Sequence, residues 1–334
     1  MHLRTTSEGT LIEHEGTWIG LGRALASAGN DDPQLAAASV DALAFLRADD
    51  GVRAQAAALV SAVADKPELA VDPSTAGLPF TPRSMRAFTL WESHWTASSR
   101  MLVKNFFPPV MWAAVRTFER TGRTFPALKP NRHFWTRPSF YVGNHSMVLA
   151  DGQDMWWPSH TEALDFELEL ACVLRAPIAD ATPEEASAAI GGWFILNDWS
   201  ARDVQAEDAR HNAFGPVVKA KTFANSIGSE IVTADEFGDW KLATGRVRVD
   251  GEVWCEGSTA NPAHDIGEML AYASRGECLD AGDVISMGTM PGCCGLELDR
   301  WIQPGQTVEL EIDRIGRLRN RVVAGAAPRT AVPA

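Results

Sequence analysis

Residues 163–174 read ALDFELELACVL. Their period of two forces an extended strand, because a helix would scatter acids and apolar residues around its whole circumference. Phe166, Leu168 and Leu170 share one face; Asp165, Glu167 and Glu169 share the other, at about 6.6 Å per step. A row of three carboxylates repels itself. In an isolated strand such a row is ordinarily the solvated face of an antiparallel sheet. Here the strand runs on into Cys172, Val173 and Leu174, and a second apolar strand, GGWFILNDWS from Gly191, ends in Asp198. If Asp198 faces Glu167 and Glu169, three oxygen ligands meet at one point, and a hard divalent cation is their natural neutralising partner. Mg²⁺ is the expected ion, with Mn²⁺ or Ca²⁺ as alternatives. Zinc is disfavoured, since no Cys-x-x-Cys and no closely spaced His pair occurs.

The rest of the chain bounds what surrounds these strands. With 334 residues, 46% of them hydrophobic, it can bury one large core and a smaller one. Residues 1–82 read as a small N-terminal α/β domain and linker. They hold a β-like opening over residues 10–19, a helix capped by Asp32 with Pro33 in its first turn and Leu35, Val40, Leu43 and Leu46 on one face, and a second helix over 52–64. A proline-broken stretch follows, with the boundary near Pro82. Residues 83–334 read as the catalytic domain, α+β and mostly β. Its helices are few, mainly 183–189 and 265–273, with an Asp250-Gly251 hairpin and a closing hairpin that turns at Gly316. Residues 83–140 are aromatic-rich and the hardest to place.

Charge and cysteine usage exclude several partners. A net charge of −13 opposes a phosphate backbone, so no nucleic acid is expected. Cys172, Cys255, Cys278, Cys293 and Cys294 lack metal or redox spacing and read as reduced thiols of a cytoplasmic protein. No apolar signal core opens the chain and no run of about 18 apolar residues occurs, so no membrane partner is expected.

Four segments in order, LDFELEL from Leu164, NDWSARDVQ from Asn197, AKTF around Lys221 and GDVISMGTMPG from Gly282, resemble the fumarylacetoacetate hydrolase family over residues 83–323. The resemblance implies a mixed β-roll or β-sandwich catalytic domain behind a small N-terminal domain, usually paired as a homodimer. It makes Glu167, Glu169 and Asp198 the metal ligands, sets Gln205 and Lys221 against substrate, and lands the Thr of the family's Gly-Thr turn on Thr289. Arg202 and Asp203 are expected to pair with each other or with neighbours and fix the turn that carries Gln205.

The chemistry so implied belongs to aromatic catabolism: hydrolysis of a C–C bond in a 1,3-dicarbonyl or acylpyruvate-like substrate, a small oxo-acid or diketone. A divalent metal holds the enolate and Lys221 adds positive charge. The family places a water-activating His at the start of the main domain, which is His94. A His between Trp91 and Trp95 also reads as a packed, hydrogen-bonded ring. Shorter members carry a Glu three residues after this His, where this chain has Ala97; Glu92 is the substitute, orienting the imidazole or adding a metal ligand. Tyr141 reads as a substrate contact or an ordinary strand residue, and the 101–138 insertion as a lid or wall that sets substrate choice. A 2-oxo acid decarboxylase or enol–keto isomerase would use the same carboxylates and Lys221 without activating water. A non-catalytic scaffold would not need all three acids. Twelve Trp and fourteen Phe add an argument for the homodimer, since a small β domain usually hides fewer.

Overall fold

The computed structural model describes residues 1–325. The strand Glu167–Leu174 lies near the middle of an eleven-stranded sheet, with Ile190–Asp198 antiparallel on one side and Asp283–Cys294 antiparallel on the other. Beyond Asp283–Cys294 come Ser84–Thr89, parallel to it, and then Ser139–Val142. On the far side, Ile190–Asp198 pairs with Glu230–Thr233, which pairs with His2–Thr6. Residues before 82 therefore extend the same sheet as residues after it. A second sheet of five strands contains both expected hairpins. Asp250 and Gly251 turn with φ of 51° and 84°, and Gly316 closes the last hairpin at φ 111°, the left-handed geometry such turns require.

Both faces of Glu167–Leu174 are buried. Leu168, Leu170, Cys172 and Leu174 pack into the larger core, which extends to the second sheet. Ala171 and Val173, on the opposite face, pack into the second core with Phe45, Leu46 and Phe194. The acids share that second face. It is thus acidic over the first half of the strand and apolar over the second, and no acid of the row is solvated.

Several local expectations shift. Asp32 does cap a helix, accepting from Gln34 N at 2.7 Å, but the helix Pro33–Ala38 stops early. Thr10 takes Ser39 O through its N–H at 2.9 Å and Ala38 O through its hydroxyl at 3.0 Å. Those carbonyls are lost to the helix, a second one starts at Ala42, and Val40 stands 64% exposed in the joint. Residues 83–140 supply a strand and the helices Glu92–Phe106, Pro109–Glu119 and Arg132–Thr136. The turn expected after Asp198 is the ten-residue helix Arg202–His211. Aromatic exposure gives a dimer little support, since among the described Trp and Phe only Trp95, Trp135 and Phe214 are exposed.

Gly288 breaks the ladder between Ser286 and Thr289. Its φ is 88°, and a Cβ there would sit 2.3 Å from Phe88 O. Gly288→Ala is expected to cost about 2 kcal/mol or more through strained backbone and clash. An unchanged urea midpoint would contradict this account of the bulge.

Candidate active site

Strand register does the assembling. Leu196 pairs with Glu169 and Asn197 with Leu168, which brings Asp198 beside Glu167 on one face. From the other flank Thr289 pairs with Glu169. Ligand atoms of Glu167, Glu169 and Asp198 all lie within 4.8 Å of one another.

Four carboxylates, Asp165, Glu167, Glu169 and Asp198, are buried here with two cations, Arg202 and Lys221. Arg202 donates from Nε to Asp165 at 2.8 Å, from Nη2 to Glu167 at 2.7 Å and from Nη1 to Gln205 Oε1 at 2.9 Å. Lys221 Nζ donates to Glu167 and, at 3.0 Å, to Asp198 Oδ2. Tyr141 donates its hydroxyl to the same Oδ2. Glu169 meets only hydroxyls, those of Ser286 and, at 3.4 Å, Thr289. Asp165 is held apart by Arg202 and by the N–H groups of Gly295 and Leu296 at 2.8 and 2.9 Å.

The titration of these groups follows that inequality. Burial opposes ionisation of Glu167, yet Lys221 and Arg202 outweigh it and hold the carboxyl far below its ordinary range. Glu169 lacks such a partner; burial first, then Asp198 and Glu167, push it well up. Burial also raises Asp198 against the pull of Lys221. Tyr141 is driven up by burial and by Asp198, so its hydroxyl stays a donor.

With all four carboxylates ionised, two negative charges are uncompensated by Arg202 and Lys221, and Asp198 Oδ1 is buried without a partner among the described residues. A divalent cation among the three acids would balance the charge and satisfy that oxygen. An all-oxygen donor set suits a hard ion, and three ligands leave positions open. The residues fit a metal.

A cavity of about 410 Å³ opens on this cluster. His94, Tyr141, Gln205, Lys221 and Thr289 all line it beside the acids. Gln205 reaches it from the helix begun by Arg202, one turn away. Asp203 does not pair with Arg202; it accepts from the Thr161 hydroxyl and from Glu162 N at 2.8 Å, fixing the helix start.

His94 sits in the first turn of Glu92–Phe106, and its Nδ1 lies 3.2 Å from Glu297 Oε2, close enough for an ion pair though off the hydrogen-bond line. Glu297 is itself buried and accepts from Gly292 N at 2.8 Å. It is Glu297, not Glu92, whose carboxylate lies beside the His94 ring. Glu92 is 40% exposed in its side chain, 4.0 Å from Lys129, and outside the cavity. Two residues apart on a helix point to different sides, so Glu92 and His94 cannot share a face. Glu297 has no periodic signal; its one trace in the sequence is an acid just after the glycine-rich PGCCG turn. Of residues 101–138, only Leu102 lines the cavity. The rest braces its helix from outside, as in the Arg100–Glu119 pair at 2.9 Å.

Residues 113–323 match the family model for the fumarylacetoacetate (FAA) hydrolase C-terminal domain. That span holds the carboxylates, Gln205, Lys221, Thr289 and Glu297 but not His94. The chain is 38% identical over 157 residues to an oxaloacetate tautomerase of Escherichia coli K12, covering 46% of this chain and 71% of that one. It is 27% identical over 187 residues to a 4-hydroxyphenylacetate degradation bifunctional isomerase/decarboxylase of Escherichia coli, covering 56% and 42%. Among solved structures, maleylpyruvate hydrolase from Sphingobium sp. SYK-6 shares the fold with a TM-score of 0.64 at 18% identity, over 97% of this chain and 100% of that one.

Removing one ligand leaves the other two acids poorly neutralised, so Glu169→Ala should weaken divalent-cation binding by about 100-fold or more. Calorimetry with Mg²⁺ and Mn²⁺ reads this directly. Full retention of affinity would refute the ligand assignment.

Proposed function

The chain belongs to the fumarylacetoacetate hydrolase family, and from that premise we propose that it is a divalent-metal-dependent hydrolase, with Mg²⁺ or Mn²⁺ at Glu167, Glu169 and Asp198. It cleaves a C–C bond in a 1,3-dicarbonyl or acylpyruvate-like substrate. The observation that carries this reading is the half-buried pair His94 and Glu297, 3.2 Å apart beside the carboxylates. A base oriented by an acid is what water activation needs.

When bound, the cation supplies Lewis-acid polarisation of the substrate's oxo and carboxylate oxygens. His94 Nε2, the ring nitrogen turned away from Glu297, takes a proton from water. Glu297 fixes the tautomer and stabilises the imidazolium. The water oxygen adds to the acyl carbonyl farther from the carboxylate, and the bond from that carbon to the adjoining CH₂ breaks. Its electron pair moves onto the carbon next to the 2-oxo group, which then takes the proton back from His94, giving a carboxylic acid and a 2-oxo acid. Lys221 places positive charge against the developing negative oxygen. Gln205 and Thr289 orient the head of the substrate, and Tyr141 holds Asp198 in place.

A second reading is favoured by the names of the two Escherichia coli relatives: tautomerisation or decarboxylation of a 2-oxo acid, using the same acids and Lys221 with no activated water. Either enzyme is proposed as a cytoplasmic homodimer, which light scattering at micromolar concentration checks; a 36.2 kDa monomer would oppose that part.

An acylpyruvate and oxaloacetate offered side by side separate the two. For the hydrolase, His94→Ala should lower acylpyruvate cleavage by about 100-fold or more and Glu297→Gln by about tenfold or more, with metal binding retained, while chelation abolishes turnover. Rapid turnover of oxaloacetate indifferent to both substitutions, with no cleavage by wild type, would establish the second reading.

A further inference from the structure

The far end of the cavity carries no countercharge. From His94 the helix Glu92–Phe106 presents Ser98 and Leu102 to the cavity at i+4 and i+8, one stripe advancing about 6 Å per step away from the base. Trp95, Phe140, Pro216 and Val217 also line the cavity. Among the described residues, the only Lys or Arg side chains lining the cavity are Lys221 and Arg202. Both are tied to the carboxylates at the reacting end. The other cations of the helix are committed outside, Arg100 to Glu119 at 2.9 Å and Lys104 to Asp299.

We propose that the substrate carries, beyond its oxo-acid head, an uncharged alkyl or aryl tail lying against Ser98, Leu102 and Phe140, and that a tail carboxylate is rejected. This rests on the reading above that the head binds at the metal carboxylates. A carboxylate carried past His94 loses water and meets hydroxyls and apolar surface with no cation. An apolar tail loses nothing there, and each methylene it buries is worth about fourfold in affinity. Leu102 and Phe140 are thereby specificity-determining residues.

The test uses full-length protein saturated with Mg²⁺ and calorimetric binding of 2-oxo acids that share a head: 4-methyl-2-oxopentanoate and phenylpyruvate against 2-oxoglutarate, with oxalate as the head alone. The apolar-tailed acids should bind at least about tenfold tighter than 2-oxoglutarate, and Leu102→Arg should reverse the order. Wild-type affinity for 2-oxoglutarate equal to or above that for the apolar acids overturns the proposal, whether or not the variant folds. Oxalate that fails to bind refutes the head site itself, and the tail assignment falls with it, an outcome distinct from oxalate binding with the wrong tail preference.

Discussion

Four carboxylates buried with two cations set the terms for this structure. Desolvating a charge costs several kcal/mol unless it is paired and hydrogen-bonded. Arg202 meets that demand for Asp165 and Glu167 with all three of its nitrogens engaged. Lys221 meets it for Glu167 and half of Asp198. Glu169 and Asp198 Oδ1 are left short, and the deficit stands where the cavity opens. A protein selected for stability alone has no reason to keep such a cluster. A cation site explains it, because the shortfall is what makes binding favourable.

The sheet makes the cluster geometrically cheap. Side chains on paired strands at matching positions stand about 5 Å apart without any further device. One face of two neighbouring strands changes from apolar to acidic near the same end of the sheet, between Ala171 and Glu169 on one and between Leu196 and Asp198 on the other. The large core below holds the strands, and the acids ride at their ends. Gly288 then bends the third strand so that Thr289 arrives opposite Glu169.

The helix Glu92–Phe106 divides its length between two tasks. Its first turn places His94 against Glu297, and the same face about one and two turns on lines the cavity with Ser98 and Leu102. A shift of this helix would therefore move His94 and the Ser98–Leu102 face of the cavity together. The braces on its outer side, Arg100 with Glu119 and Lys104 with Asp299, hold it against the strand ends.

What could be read from the chain alone is what depends on short-range periodicity. Alternation in ALDFELELACVL and an Asp at the end of GGWFILND identify the strands and the three acids, because a period of two puts them on one face wherever the strand sits. Asp250-Gly251 and Gly316 mark turns for an equally local reason, since they relieve a left-handed backbone. Even the helix stop after Ala38 escaped that reading, as it depends on Thr10 taking two carbonyls from another element. The partner of His94 escaped it as well. Glu297 lies far along the chain with no periodicity linking the two, and only docking of the helix against the end of Asp283–Cys294 brings them together. Tertiary structure likewise turned Arg202 from a turn residue into the cation that holds two buried acids, and it decided that the wall beyond His94 is apolar. Such facts depend on which surfaces meet, and packing fixes that over distances at which sequence periodicity carries no information.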